Sequence, residues 1–292
     1  MNRRQSKTTR AVRSAVVRIW QMRKAFLLSI PYFLLLGWLY SGGVEGDIRP
    51  GELYGAREIP EWKAPDREHW FGTGPNGVDL FELSRHAMAI SVSAAVVAVS
   101  LGIGLAALLT SLFVFDLNEG RFDWLGRVTR VSRLVPGMVV LVLFTGISGG
   151  SLLLAIAGIA GVVALHFAPV LARWFQEGEE GFDIVAARVL GLSRQEILRS
   201  RVLPSVLRRL PGVFATFVPV AVLAEMSLSF LGFTGERLSV GLMVAHGQAY
   251  LIEAPWMAVY PGVFATGVVL ALSLLGWRVS TALRTGPLPR VL

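Results

Sequence analysis

DIVAARVLGLSRQEILRSRVLP, residues Asp183–Pro204, is a polar, amphipathic stretch set between long apolar blocks and closed by Leu203-Pro204. Ala186, Ala187 and Gly191 mark a small-residue face, and Arg188, Arg194, Arg199 and Arg201 supply charge. Asp183 is placed to start a helix of one or two turns, because its carboxylate can accept from exposed first-turn N–H groups. Gly191 is expected to end that helix, since glycine takes the left-handed C-terminal conformation without strain. Ser193 should cap a second helix over Arg194–Val202, with Glu196 at the third position as its capping-box partner. Pro204 has no N–H to donate and is expected to turn the chain toward the next apolar block. Two readings of the stretch stay open on these features: a surface presented to a partner, or an amphipathic loop helix lying on a membrane.

The composition around it fixes the class. The chain is 53% hydrophobic and 16% charged, with a mean hydropathy of +0.58, whereas soluble domains carry about 25% charged residues. It has no cysteine, which excludes a disulfide framework, a thiolate nucleophile and a cysteine metal site. The net charge of +8 does not point to nucleic acid, because the basic residues fall on alternate loops between apolar segments.

Working outward, residues 1–24 form a basic segment without an acid, and an apolar run follows over Ala25–Tyr40. A basic head and an apolar core of this length fit a signal peptide or an uncleaved first span. No small-x-small cleavage site follows cleanly, and Trp38 and Tyr40 sit where interfacial anchors belong, which favours a span over 25–41, extended back to Met22 for length. Residues 42–86 then carry nine acids, five Lys/Arg and four prolines, the composition of an external segment with little regular structure. Further spans are expected at Ala87–Phe115, Leu134–Ile147 (drawing in Val128–Arg133 for length), Ser151–Ala172, Pro211–Phe233 and Trp256–Leu283. Ser148-Gly149-Gly150 makes the third and fourth antiparallel neighbours. Residues 87–283 thus form a five-helix core interrupted by the loop at 173–210, and 284–292 are a tail.

Placing both termini and the loops at 116–133 and 173–210 on the inner side puts 22 of the 28 Lys and Arg there. The positive-inside rule therefore selects an all-α polytopic protein of six transmembrane helices with both termini cytoplasmic. The Asp183–Pro204 stretch then lies on the side where ATP is.

The spacing of that stretch carries a resemblance. Val185-Ala186-Ala187, Gly191, Leu203 and Pro204 stand at the positions of Glu-Ala-Ala-x3-Gly-x9-Ile-x-Leu-Pro, the cytoplasmic loop of ATP-binding-cassette importer permeases. Two more segments resemble one branch, the second permease subunit of the dipeptide/oligopeptide/nickel importers. His69–Asp79, HWFGTGPNGVD, is similar to its HPFGTDxxGRD segment, and Ala224–Gly232, AEMSLSFLG, to its AExSLSFLG segment. Ala254–Ala258 and Pro261-Gly262 are similar to the entry to its last span. The resemblance runs from about His69 to Leu283. It departs at Val185, where the branch has an acid, at Arg201, at Val78, and at Arg85-His86-Ala87.

What the resemblance implies is a type I importer permease fold that supplies half of a translocation pathway. The partners implied are a second homologous permease subunit, two ATPase subunits, a periplasmic or lipid-anchored solute-binding protein and membrane lipid, with no nucleic acid. Asp183, Val185, Ala186, Ala187, Arg188, Gly191, Leu203 and Pro204 are the implied ATPase-coupling residues. Gly72, Thr73 and Asp79 fall in the segment implied to meet the binding protein, and Glu225, Ser227 and Ser229 in one implied to line or gate the pathway. The chain itself would be no enzyme and would bind no cofactor or metal, ATP-Mg being held by the partner subunits; no GxxxxGK[ST] is present. The expected location is the bacterial inner membrane, and the expected cargo a peptide, a nickel chelate or another small solute.

Other readings were weighed on single residues. Glu225 lies inside an expected span, where carboxylates are costly and often functional. It fits the proton carrier of a secondary transporter, or a structural residue that holds the Ser227–Gly232 turn. His166 is expected to hydrogen-bond between helices, Gly102, Gly104, Ala106 and Ala107 to allow close packing, and Trp256 and Tyr260 to form an aromatic belt. The scattered histidines, with no HExxH or GxSxG, exclude the common hydrolase sites.

Overall fold

The computed structural model describes residues 30–31, 33–41, 62–74, 77–114, 136–179, 189 and 191–284. Among them the chain is helical, with one isolated β-bridge between Thr73 and Asp79. Residues 33–40 are the described helical end of the first apolar run (α1). Then come α2 (Leu80–Val114), α3 (Gly137–Ile147), α4 (Leu152–Glu179), α5 (Arg194–Ile197), a π-turn (Leu198–Val202), α6 (Leu203–Phe230), α7 (Val240–Gly247) and α8 (Trp256–Arg284). Among the described residues, α2, α4, α6 and α8 are each long and apolar enough to cross a membrane, and α3 is a shorter apolar helix. The expected extension of α3 over Val128–Arg133, and the segments 1–24, 42–61, 115–135 and 285–292, lie outside the described residues.

Small residues set the packing. α2 lies against α4, and α6 against α8 and α2. A Cβ on Gly102 would stand 2.8 Å from the Ala160 carbonyl oxygen of α4. Ala106, one turn on, is sealed in the same contact, and Thr110 donates to the Ala168 carbonyl at 3.3 Å. Gly104 faces open space, so of the expected small-residue contacts it makes none within the chain. Between α6 and α8 a Cβ on Gly276 would come within 2.2 Å of the Ala215 carbonyl oxygen. Such close approaches are the usual means of joining helices in lipid, where burial of apolar side chains gives no preference for protein over solvent.

Helix limits differ from the sequence expectations at α2, at α6 and at α4, which runs on to Glu179 past the expected Ala172. α2 begins at Leu80, seven residues before Ala87, because Asp79 caps it: its Oδ1 accepts from the N–H groups of Phe81 (2.8 Å) and Glu82 (3.0 Å). At α6, Pro204 does not turn the chain. Helical structure runs from Arg194 to Phe230 without a break. A proline ring collides with the carbonyl four residues back in a regular α-helix. Here the preceding turn is opened to π geometry, with the Leu203 N–H bonded to the Leu198 carbonyl five residues back.

The connection between α3 and α4 turns through Gly149 and Gly150, with φ of 83° and 61°. Both helices run antiparallel from it, with Gly158 against Leu141 and Phe144. α6 ends in a Schellman motif in which Phe233 N–H reaches Leu228 O at 2.9 Å and Gly232 N–H reaches Ser229 O at 3.0 Å. Gly232, at φ 80°, supplies the left-handed residue this needs. Residues 62–81 and 231–256 gather at one end of the bundle, the cap end. Residues 189–207 lie at the opposite, turn end.

Candidate functional site

At the turn end, the described part of the Asp183–Pro204 stretch splits into two faces. Ile197, Leu198, Val202 and Val206 are buried against Ala106 of α2 and Ala164, Phe167, Ala168 and Leu171 of α4. The other edge, with Val189, Gly191, Leu192, Leu203 and Pro204, is exposed, Val189 to 83%. Gly191 has φ 83° with open space around its Cα, as the helix-ending role expected of it requires. Ser193 and Glu196 form the expected capping box. Glu196 Oε2 accepts from the Ser193 N–H and hydroxyl, both at 2.9 Å, and Glu196 N–H returns to Ser193 Oγ. The Ser193 backbone N–H, and next its hydroxyl, hold the Glu196 carboxyl below the usual glutamate range. Trp174 and Arg209 brace the site from behind: the guanidinium lies 5.1 Å from the indole centre and 3.7 Å from Glu177. Asp183, Val185, Ala186, Ala187 and Arg188 fall outside the described residues.

At the cap end, the HWFGTG segment is folded onto the bundle. Asp66 Oδ1 accepts from the His69 and Glu68 N–H groups, chiefly that of His69, which holds the Asp66 carboxyl below the usual range. Asp79 Oδ2 meets His69 Nδ1 at 2.8 Å while its Oδ1 caps α2. Gly72, at φ 73°, leaves room for the Trp256 indole: a Cβ there would stand 2.9 Å from it. Thr73 is buried, its N–H bonded to Lys63 O and its carbonyl accepting from Trp256 Nε1 at 3.5 Å. Gly72, Thr73 and Asp79 are thus the internal frame of this loop, while Trp70 is two-thirds exposed beside them. Phe71 and Phe81 pack with Phe264 and Tyr260 of α8. Trp256, expected in an aromatic belt, is instead the post that holds Gly72 and Thr73, because Gly72 has no side chain to exclude it.

Three comparisons bear on this arrangement. No protein-family model matches the chain. The glutathione transport system permease protein GsiD of Escherichia coli O1:K1 is 29% identical over 219 residues, covering 73% of this chain and 70% of its own. The protein of the same name from Shigella boydii serotype 4 aligns to the same extent. Among solved structures, an amino acid ABC transporter superposes with a TM-score of 0.54 at 15% identity, over 69% of this chain and 94% of that one. An inward-facing MetNI methionine ABC transporter gives 0.51 at 16%, over 70% and 95%. The two structures share the fold, and the GsiD proteins share the sequence along it.

The chain is similar in sequence to a transport-system permease and shares the fold of ABC transporters. Its four long apolar helices are those able to cross a membrane among the described residues.

Within the helix bundle, the three candidate pathway residues separate. Glu225 is 1% exposed and Ser229 fully buried, both inside the helix bundle; Ser227 is exposed and bonds back to Leu223 O at 2.7 Å. Of the three, only Ser227 reaches the surface of this chain. His166 Nδ1 donates within its own helix, to Val162 O (2.8 Å), rather than between helices. Arg85, noted in the sequence only as a departure from the family pattern, has a defined task. Its Nη1 donates to Trp38 O (3.3 Å) and Ser41 Oγ (3.2 Å), its Nη2 pairs with Glu82 (2.5 Å), and its guanidinium faces the Trp38 ring. It places a cation on the carbonyl-rich end of α1, which the helix dipole favours. Tyr40 adds hydrogen bonds to Ala89 O at 3.2 Å and to Ser93. The signal for Arg85 was its position: a lone cation near the start of an expected span demands a partner.

Proposed function

We propose that this chain is an ABC importer permease that supplies half of a six-plus-six-helix pathway for peptides or a related small solute, paired with a second homologous permease. The turn end is read as cytoplasmic and the cap end as external, in line with the distribution of Lys and Arg. On that reading, the exposed edge from Val189 to Pro204 seats in a cleft of one of two ATPase subunits, and the cap end receives an external binding protein. The observation that carries this is the two-faced turn end. Its apolar backing of Ile197, Leu198, Val202 and Val206 makes it rigid with α2 and α4, so force applied to the exposed edge moves the bundle as a body, the rigid-body kind of switch. The peptide class rests on the likeness to permeases named for glutathione, itself a tripeptide.

The test is a cross-link. A cysteine at Val189, in this cysteine-free chain, should join to an ATPase subunit co-expressed from neighbouring genes. Gly191→Asp and Ala187→Arg should uncouple ATP hydrolysis from uptake while leaving insertion intact. Purification of the chain alone, with uptake driven by a proton gradient in liposomes, would instead support a secondary transporter.

A further inference from the structure

Four buried oxygen-bearing side chains meet where α2, α6 and the loop to α7 join: Ser91, Glu225, Ser229 and Thr234. Ser229 Oγ donates to Glu225 Oε1 at 3.1 Å and lies 2.6 Å from Thr234 Oγ1. Because the single Ser229 proton is engaged by the carboxyl, the Thr234 hydroxyl is the donor in that second bond. Glu225 Oε2 is sealed from solvent and has no partner, and neither has Ser91 Oγ, although Ser91 stands beside the same carboxyl.

The behaviour of neighbouring serines makes Ser91 informative. On the same helix Ser84 donates to Leu80 O at 2.6 Å, Ser93 to Ala89 O at 2.6 Å and Ser100 to Val96 O at 2.7 Å. Ser91 forgoes that bond and is left beside Glu225. A buried polar atom without a partner carries its full desolvation cost, and a buried charge much more. Among the described residues, the side chains that act on the Glu225 carboxyl are Ser91 and Ser229, both neutral hydroxyls. Of the titratable groups on the packed elements, Arg85 pairs with Glu82 and with the end of α1.

We propose that Glu225 is a neutral acid whose Oε2 proton is donated to Ser91, completing a one-way chain of donors from Thr234 through Ser229 and Glu225 to Ser91. One proton closes both orphaned atoms and removes the buried charge. The chain ties α6 to α2 beneath the Schellman turn and fixes the root of the segment that leads to α7. Glu225 is then a positioning residue with a resident proton, which is neither a proton carrier nor a contact to cargo.

Infrared spectra of the full transporter at neutral pH test this. A protonated-carboxyl band should vanish in Glu225→Gln and shift in Ser91→Ala. Glu225→Gln, whose amide can donate to Ser91 and accept from Ser229, should keep uptake within about two-fold of the native protein. Glu225→Ala should lower the melting midpoint by several degrees; should it fail to accumulate, the Ser91→Ala band shift decides alone. The absence of the band, or a Glu225→Gln variant as impaired as Glu225→Ala, overturns the proposal. So does a sodium-dependent rise in melting midpoint that Glu225→Gln abolishes, since that would assign the site an ionised carboxylate and a cation.

Discussion

At the cap end, Asp66, Asp79, Thr73, Arg85 and Trp256 each hold hydrogen bonds inside the chain, and Phe71, Phe81, Tyr260 and Phe264 pack beside them. At the turn end, Val189, Leu192, Leu203 and Leu207 stand exposed over a small buried apolar backing. One end is a finished surface braced by its own side chains. The other leaves apolar side chains uncovered beside its buried backing, and on the proposed function these belong to an interface. The lesson is that a motif matched by resemblance can mark either kind of end. HWFGTG matches because a loop must fold, whereas Gly191 stands in open space, where no contact within the chain requires it.

If that contrast is right, the cap end should answer to packing mutations with loss of stability. Gly241→Ala should have the largest effect, because the new Cβ would lie 2.0 Å from the Met226 carbonyl oxygen and the backbones must part. Overpacking costs about 1–3 kcal/mol and more where backbone must move; the melting midpoint of the purified transporter reads it. Trp256→Ala should follow at about 3 kcal/mol, the low end for removing a large ring, because the indole is only half-buried. Arg85→Gln, which retains a donor but loses the charge, should cost about 1–2 kcal/mol and loosen α1, measured by cross-linking between cysteines at 40 and 93, which lie in contact across α1 and α2.

The turn end should show the opposite pattern. Gly191→Val meets no atom, so it should leave folding nearly intact, yet a β-branched residue at φ 83° is strained by about 1–2 kcal/mol. Uptake should fall while the amount of inserted protein does not, as shown by transport assays normalised to membrane content. A fall in both would erase the distinction between the ends.

The smallest expected effect is common to both. Asp66 and Glu196 are carboxylates held below their usual range by backbone N–H groups. Such groups favour the folded turns above the ordinary carboxylate range, and that contribution disappears as pH falls through the lowered values. Exchange of the His69 and Ser193 amides, corrected for intrinsic rates, should accelerate together on acidification. Glu196→Gln should remove the effect at Ser193 alone.

Much of this was legible from the chain itself. Long apolar runs and glycine-marked turns announced the helices, and Ser193 with Glu196 announced a capping box, because these signals are local. What escaped the sequence was long-range. Nothing local says that Pro204 will be absorbed by a widened turn, since that depends on Ile197, Leu198 and Val202 being held from behind. Trp256 looks like any interfacial aromatic until Gly72 is seen beneath it, 184 residues earlier in the chain. Arg85 and Ser91 matter only through α1 and α6. Gly102 and Ala106 did mark a close-packed face of α2, but nothing in them says which residue of that helix would meet a carboxyl.

The widened turn at Leu198–Val202 has a geometric corollary. A helix carrying one residue too many in a single turn is a screw with slack. Moving that surplus along the thread by one position turns the residue it passes by roughly 100° and leaves the parts on either side where they were. The segment below Pro204 can therefore change which side chains it shows without unwinding the shaft above it.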